Sequence, residues 1–188
     1  NSSGVISGIV ENAAVGSYNV TVTAIDGSST QVTDSFILTV ENTNDSPEVL
    51  SVIADQVATE DVLFSLDISS NFIDVDAEDT LNYIAIGLPD GITITSSGLI
   101  SGTPENEVVG VYTVEVKATD TAGSKAVDVF TLTVENSNDV PIVDTSIQDQ
   151  IATEDVLFIL DVSENFIDID DGDSLEYTGS GFPEGLSV

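Results

Sequence analysis

Apolar and polar residues alternate along several short stretches of the chain, which is the pattern of half-buried β-strands. The run from Tyr112 to Ala118 alternates cleanly, and so does the run from Phe130 to Val134. Turn-forming sequences lie between such runs, for example Leu88-Pro-Asp-Gly91. No stretch with a helical period is long enough to predict a helix, so the pattern predicts an all-β protein.

Between residues 53 and 134 the alternation predicts seven strands. These are Ile53–Thr59, Leu63–Ile68, Leu81–Ile86, Ile92–Thr95, Leu99–Gly102, Gly110–Ala118 and Val127–Val134. Short strands that are joined by turns, without the helices of a parallel sheet, indicate an antiparallel β-sandwich.

The sequence repeats itself without a gap. The segment SSGVISG at Ser2–Gly8 returns as SSGLISG at Ser96–Gly102, and 96 − 2 = 94. ATEDVLF at Ala58–Phe64 returns at Ala152–Phe158 with the same offset, 152 − 58 = 94. Such a long period predicts an array of small domains rather than a solenoid of short repeats.

The chain contains two whole periods, since 2 × 94 = 188, but they do not start where a domain should start. The natural linker is Glu41–Pro47, a polar stretch that closes with proline and recurs at Glu135–Pro141. This predicts a complete domain at residues 44–138. Residues 1–43 are then the last three strands of a preceding domain, and residues 139–188 are the first four strands of a following one. Either the chain is a window of a continuous array, or the half-domains of successive units complete each other head to tail. Both arrangements predict an open-ended filament.

The charge balance narrows the classes of partner. Against 34 acidic residues stand only Lys117 and Lys125, for a net charge of −32. This excludes nucleic acid as a partner and disfavours anionic membranes, because both would need cations opposite them. No apolar run approaches the length of a membrane span, so no membrane insertion is expected. The charge itself has two open explanations, a solvated acidic surface or bound cations.

Cysteine and histidine are absent. This removes disulfides, thiolate metal sites, the usual general base and the usual zinc ligand. Only oxygen ligands remain, and these suit Ca²⁺ or Mg²⁺.

Several acids fall in three loop stretches that recur in both repeats. The first contains Glu60, which recurs as Glu154, and the second is the linker. The third is NFIDVDAEDTLNY, which recurs as NFIDIDDGDSLEY. The polar residues of the linker and of the third stretch are Asn42, Asn44, Asp45, Asp74, Asp76 and Asp79, which recur as Asn136, Asn138, Asp139, Asp168, Asp170 and Asp173. A single acid, Asp26 or Asp120, follows the predicted sixth strand.

Acids at positions i and i+2 of a short loop can turn several oxygens toward one point, and Ca²⁺ takes 6–8 oxygen ligands. Two carboxylates about 4 Å apart repel by about 4 kcal/mol at an effective dielectric constant of 20. A cation between them removes this repulsion, whereas Asx turns and simple solubility are the alternative explanation for DVDAED alone. The additional acids in the linker favour calcium. An EF-hand is excluded for DIDDGD, because that loop needs Gly at position 6 and Glu at position 12, where Asp173 and Gly179 stand.

Taken together, ATED, NFIDVDAEDTLNY, GLPDGITI, GLISGTP, VGVYTVEVKATD and FTLTVENSNDVP resemble the dystroglycan-type cadherin-like repeat of bacterial surface proteins. The resemblance covers essentially the whole chain in two copies. It implies a seven-stranded Greek-key sandwich of the cadherin-like or Ig-like type, with one full domain between two half-domains. It also implies Ca²⁺ at the domain junctions.

The resemblance further implies a ligand set for each junction. At Glu135–Pro141 the ligands would be Glu60, Asn136, Asn138, Asp139, Asp168 and Asp170. At Glu41–Pro47 they would be Asn42, Asn44, Asp45, Asp74, Asp76 and Asp120. Glu154 and Asp26 would serve junctions with neighbouring segments.

One element of the cadherin pattern is missing. Cadherins carry an Asp-x-Glu ligand motif between the fifth and sixth strands, but Glu107 in one repeat corresponds to Ala13 in the other. Asp79 and Asp173 are the residues that we expect to compensate.

Three functions are weighed against these features. The first is a calcium-rigidified structural segment of a long extracellular or cell-surface tandem-repeat protein, such as an adhesin stalk or a surface fibre, whose partners are neighbouring copies of the same repeat. The second is a module that binds carbohydrate or another cell surface, although aromatic residues are only 6% of the chain. The third is an enzyme, which is disfavoured because the acids lie at linkers without a supporting Arg or His.

Overall fold

The computed structural model describes residues 4–76, 79–170 and 172–188, and its regular structure consists of β-strands and short 3₁₀ turns. The strands are β1 (Gly16–Ile25), β2 (Gln31–Val40), β3 (Glu48–Val49), β4 (Gln56–Thr59), β5 (Phe64–Asp67), β6 (Phe72–Ile73), β7 (Asn82–Ile86), β8 (Ile92–Ile94), β9 (Leu99–Gly102), β10 (Gly110–Thr119), β11 (Lys125–Glu135), β12 (Ile142–Val143) and β13 (Phe166–Ile167). The 3₁₀ turns are Asn12–Ala14, Ser69–Asn71, Asn106–Val108 and Ser163–Asn165. Within the described ranges, no helix has the length and apolarity that a membrane crossing requires.

The predicted complete domain at residues 44–138, called the central repeat below, forms a sandwich of two main sheets. One sheet has the strand order β4-β11-β10-β7, in which β4 runs parallel to β11 and the other neighbours are antiparallel. The other sheet has the antiparallel order β5-β9-β8, and a small pair, β3 with β6, lies beside them. The predicted all-β sandwich is therefore confirmed.

The seven strands predicted for the central repeat are all present, with ends that differ by a few residues. β3 and β6 were not predicted, because each is only two residues long and offers no alternation to detect. Their pairing, Glu48 with Ile73 and Val49 with Phe72, ties the start of the repeat to the loop that carries the paired aspartates.

Alternate residues of the long strands fill the core of the central repeat. Val114, Val116 and Ala118 of β10 are fully buried. Leu132 and Val134 of β11 lie beside them, and residues of the second sheet such as Ile100 close the core from the other side. Fully burying a side chain of this size contributes about 1.5–3 kcal/mol, so the alternation seen in the sequence is the main stabilising feature.

The flanking segments contain less structure than predicted. Residues 4–43 hold the hairpin of β1 and β2, whose register Gly16 to Val40 repeats the register Gly110 to Val134 of β10 and β11. Three strands were predicted for residues 1–43, but residues 5–8, the equivalents of Leu99–Gly102, form no strand, and of the described part of residues 139–188 only β12 and β13 are strands. A strand needs a partner for its ladder, and the partners that β4, β5 and β8 find in the central repeat have no equivalent beside the described residues of that segment.

The repeat makes the effect of context measurable, because the same residue types occur twice. Phe36 is 46% exposed, whereas its equivalent Phe130 is 2% exposed. Leu38 is 43% exposed, whereas Leu132 is fully buried. The hairpin of β1 and β2 therefore has the apolar face of the core strands, but among the described residues no second sheet covers that face.

A close backbone approach explains one recurring glycine. Gly102 has a φ of +153°, and a Cβ added there would lie 1.8 Å from the carbonyl oxygen of Gly91. No side chain fits at that distance, so the junction of β8 and β9 requires glycine.

We predict unequal effects for one substitution made at both repeat positions. Leu132→Ala should lower the free energy of unfolding of the central repeat by about 2–5 kcal/mol, because it leaves a cavity in a packed core. Leu38→Ala in the flanking hairpin should lower the free energy of unfolding of the chain by less than about 0.5 kcal/mol, because the Leu38 side chain is half exposed. Urea denaturation at dilute protein concentration measures both, and equal losses would contradict the packing described above.

Candidate metal centres

The first junction consists of the linker Glu41–Pro47 and the loops that contact it. Asn44 donates through Nδ2 to Asp120 Oδ2 at 3.0 Å and to its neighbour's carbonyl, Asp45 O, at 2.6 Å. The backbone N–H of Asp45 donates to Asp76 Oδ2 at 2.8 Å. Strand ends place these acids, since β6 ends at Ile73 just before the paired-aspartate loop and β10 ends just before Asp120.

Three aspartates of the loop after β6 converge. Asp74, Asp76 and Asp79 each offer one carboxylate oxygen, and these oxygens lie within 4.8 Å of one another. The N–H of Asp76 donates to Asp74 Oδ1 at 2.9 Å, and Thr121 donates to Asp79 Oδ1. The loop also lines an open cavity of about 630 Å³ together with Asn42.

Asp120 is buried, yet it is held as a carboxylate. Burial disfavours its charge, but hydrogen bonds from the Asn44 side chain and from the N–H groups of Ser124, Gly123 and Ala122 outweigh burial and hold the pKa of Asp120 below its ordinary value. The group is therefore charged at neutral pH and available to a cation.

The second junction, at Glu135–Pro141, repeats this geometry. The N–H of Asp139 donates to Asp170 Oδ2 at 2.7 Å, and the N–H of Asp170 donates to Asp168 Oδ1 at 3.0 Å. Asn138 donates to the carbonyl of Asp139 at 2.5 Å. Two groups of acids meet here, Asp168 with Asp170 and Asp173, and Glu60 with Asp139 and Asp170. Asp170 belongs to both groups.

Glu60 lies at the end of the central repeat that meets the second junction, whereas the loop of Asp74 lies at the first junction. Glu60 follows β4, and its N–H is bonded to the carbonyl of Glu135 at 3.0 Å. Its side chain is fully buried, and Oε1 accepts from the N–H of Ser137 at 2.7 Å. The parallel pairing of β4 with β11 thus brings Glu60 under the linker that follows β11.

Several carboxylate oxygens at the junctions are buried without a hydrogen-bond partner among the described residues. They are Glu60 Oε2, Asp74 Oδ2, Asp76 Oδ1, Asp79 Oδ2 and Asp170 Oδ1. Buried polar atoms are normally paired, so orphan oxygens call for an explanation such as an ion. Convergent carboxylates with unused lone pairs are the donor set that Ca²⁺ prefers, and the residues present therefore fit that ion.

Most of the predicted ligands lie at one of the two junctions. Asn136 lines an open cavity of about 500 Å³ beside Ile169, without a described contact to the acids. Asp26 lies at the tip of the first hairpin, where Oδ1 accepts from the N–H groups of Ser28 and Thr30. Glu154 is exposed in the turn after Thr153, away from both clusters. The assignment of all the predicted ligands to metal sites, these three included, stays a prediction.

Two further polar residues reach the linkers and were not predicted from the sequence. Asn12 donates through Nδ2 to Asp45 Oδ2 at 2.6 Å, and Asn106 donates to Asp139 Oδ2. A signal was present, since the pair Glu-Asn recurs at 11–12 and 105–106 with the offset 106 − 12 = 94. A recurring pair outside the acidic loops does not by itself indicate a contact with the linker.

Comparison with solved structures identifies proteins of similar fold. The described sandwich is similar to mouse cadherin-23 EC22-24, with a TM-score of 0.55 at 16% identity over 71% of this chain and 46% of that chain. It is also similar to PcdhgB3 EC1-4, with a TM-score of 0.54 at 21% identity over 71% of this chain and 35% of that chain. The matched region is thus less than half the length of either structure, and the likeness establishes a cadherin-like and Ig-like sandwich fold.

The sequence also matches a family profile, described as "Putative Ig domain" (He_PIG), at residues 1–41 and 46–135. The chain belongs to this family of Ig-like domains, and the gap between the two matched segments falls in the first linker. A search of curated proteins returned no significant match. The dystroglycan-type subclass of the resemblance is finer than these comparisons reach.

We predict that the effect of one isosteric substitution on the free energy of unfolding changes sign when Ca²⁺ is added. In EGTA, Asp76→Asn should raise the free energy of unfolding by about 1–3 kcal/mol, because it removes one of several carboxylates that repel one another by about 4 kcal/mol per pair at about 4 Å. In millimolar Ca²⁺ it should lower the free energy of unfolding, because a ligand is lost. Thermal and urea unfolding measure both, with Asp90→Asn in an exposed turn as the control. A change of the same sign in both buffers would rule out a cation at this cluster.

Proposed function

We propose that the chain is a calcium-rigidified structural segment of a long extracellular tandem-repeat protein of the dystroglycan-type cadherin-like class, such as a surface fibre or an adhesin stalk. The observation that carries this proposal is the set of buried, unpartnered carboxylate oxygens at both linkers of the described chain. They occur where successive repeats meet and not in a cleft of a single repeat. The proposal includes the absence of a catalytic function.

At the second junction the ligands would come from both sides of the linker. At the second junction Glu60 would contribute from the preceding repeat, Asp139 from the linker, and Asp168, Asp170 and Asp173 from the following segment. At the first junction the ligands would be Asp45, Asp74, Asp76, Asp79 and Asp120, with Asn44 beside them. When bound, Ca²⁺ supplies the positive charge that the carboxylates share.

A shared cation restricts how one repeat can turn against the next. Without it, the junction acids repel one another and a net charge of −32 opposes a compact arrangement. With it, residues from two repeats at the second junction would be ligands of the same ion, so bending at that linker would break ligand contacts. Extracellular modules bind Ca²⁺ in the range of about 10⁻⁴–10⁻³ M, which suits a location outside the cell.

Removal of calcium tests this function. In excess EGTA the melting temperature should fall by several degrees relative to millimolar Ca²⁺, and the radius of gyration from small-angle scattering should change as the junctions loosen. Mg²⁺ at the same concentration is the control for charge screening. A melting temperature and a radius that are identical in Ca²⁺ and EGTA would overturn the calcium function.

Neighbouring copies of the repeat are the proposed partners. An apolar groove of about 510 Å³ near the carboxyl end is lined by Ile147, Phe158, Leu160, Phe166, Tyr177 and Leu186, among others. Subtracting 94 from each number gives residues 53, 64, 66, 72, 83 and 92, which all belong to the core of the central repeat or pack against it. There they share one hydrophobic core with buried residues of β9, β10 and β11. The uncovered face of the β1–β2 hairpin is the equivalent of β10 and β11, so a following copy would supply the cover head to tail.

Self-association of the chain tests the proposed partner. We expect concentration-dependent association in Ca²⁺ by sedimentation velocity, and Phe36→Asp should weaken it by roughly tenfold or more, the effect of losing one buried aromatic side chain. Ile37→Asp is the matched control, because Ile37 is on the opposite face of β2 and corresponds to the polar Thr131. Equal effects of the two substitutions would argue against a composite sandwich.

A further inference from the structure

The linker aspartates are bonded to residues on both sides of their junctions. Asp45 accepts from Asn12 through its side chain at 2.6 Å and donates from its backbone to Asp76 at 2.8 Å. Asp139 accepts in the same way from Asn106 and donates to Asp170 at 2.7 Å. A continuous chain of hydrogen bonds therefore crosses each junction, from the preceding repeat through the linker to the following segment.

Each of the two asparagines begins a hydrogen-bonded 3₁₀ turn. Asn12 begins the 3₁₀ turn Asn12–Ala14, in which its carbonyl accepts from Val15 N at 3.1 Å. The Tyr18 hydroxyl donates to the carbonyl of Ala14 at 2.9 Å, which fastens the turn to β1. The same arrangement recurs around Asn106, where Tyr112 donates to the carbonyl of Val108 at 2.8 Å.

A neutral hydrogen-bond donor suits the position of Asn12 and Asn106, because the groups they meet are the carboxylates of Asp45 and Asp139. A carboxylate only accepts hydrogen bonds, so it is the amide nitrogen of asparagine that meets Asp45 and Asp139. Hydrogen bonds to charged groups are stronger than those between neutral groups. Aspartate or glutamate here would instead add a like charge beside the cluster of unpartnered oxygens.

We propose that Asn12 and Asn106 are positioning residues that clasp the linker aspartates without any ion. They hold the linker in an ordered path in the ion-free protein and present the second side of each aspartate to the acids of the following segment. The ion-free order of the junction follows from the hydrogen bonds alone, whereas the consequence for Ca²⁺ affinity rests on the proposed function.

The experiment measures order at the first junction in the full chain. The sequence contains no cysteine, so spin labels at Gln31→Cys and Asp90→Cys are specific. Gln31 is exposed at the start of β2, at the end of the hairpin remote from the linker, and Asp90 is exposed in the turn before β8. Pulsed EPR distance distributions in EGTA then report the ion-free junction, and calcium titration by calorimetry reports affinity.

In EGTA we expect a narrow distance distribution when Asn12 is present. Asn12→Ala should broaden it about twofold or more, and Asn12→Asp should do the same, because it keeps the shape but replaces the donor with a repelling charge. Asn19→Ala, at an exposed position of β1, should leave the width unchanged. In the titration Asn12→Ala should weaken Ca²⁺ binding about 3–10-fold, the effect of losing one typical net hydrogen bond at an exposed position.

The outcomes separate the clasp from the calcium function. A distribution that is as broad with Asn12 as with the alanine substitution, or equal broadening by Asn19→Ala, would overturn the clasp whatever the affinity for Ca²⁺. Absence of Ca²⁺ binding in every variant would overturn the proposed function, while a narrow ion-free distribution that depends on Asn12 would still support the clasp.

Discussion

Repulsion between carboxylates at the junctions is the constraint on which the arrangement of repeats depends. Asp45 and Asp139 are brought against Asp76 and Asp170 by their own backbone N–H groups, which satisfy one oxygen of each partner. The second oxygens of Asp76 and Asp170 are buried without a partner among the described residues. An isolated buried charge is unfavourable unless a positive group compensates it. The path of the linker is therefore tied to whatever lies between these acids.

The sandwich decides where those acids stand. Its long strands end next to the junction residues, so the hydrophobic core that aligns β4, β10 and β11 also positions Glu60, Asp120 and the second linker. Because the acidic loops are short and begin where the strands end, the register of the strands determines where the carboxylates lie. The 3₁₀ turn held by Tyr112 works in the same direction, because it carries Asn106 to the linker without relying on a strand.

The spacing of the acids predicted the local part of the site, whereas its long-range contacts were reached only through the family resemblance or were not predicted. Asp74 and Asp76 stand at positions i and i+2 of one loop, so their spacing was enough to predict that their oxygens can converge, and Asp79 of the same loop joins them in the structure. The contact between Asn106 and Asp139 joins residues 33 positions apart, and it depends on a 3₁₀ turn that leaves no periodic signal. The grouping of Glu60 with Asp170 was expected from the family resemblance alone, because it depends on the parallel pairing of β4 with β11, which the alternation of β4 does not encode.

The sequence by itself determined the period of the repeat, the alternation of the core strands, the turns and the recurring acidic loops, because each of these depends on neighbours along the chain. Only the tertiary structure decided which copy of a residue is buried. Leu38 and Leu132 occupy the same place in the repeat and in their hairpins, yet Leu132 is fully buried and Leu38 is 43% exposed. The difference arises because a sheet face becomes a core only when another sheet removes its apolar surface from water.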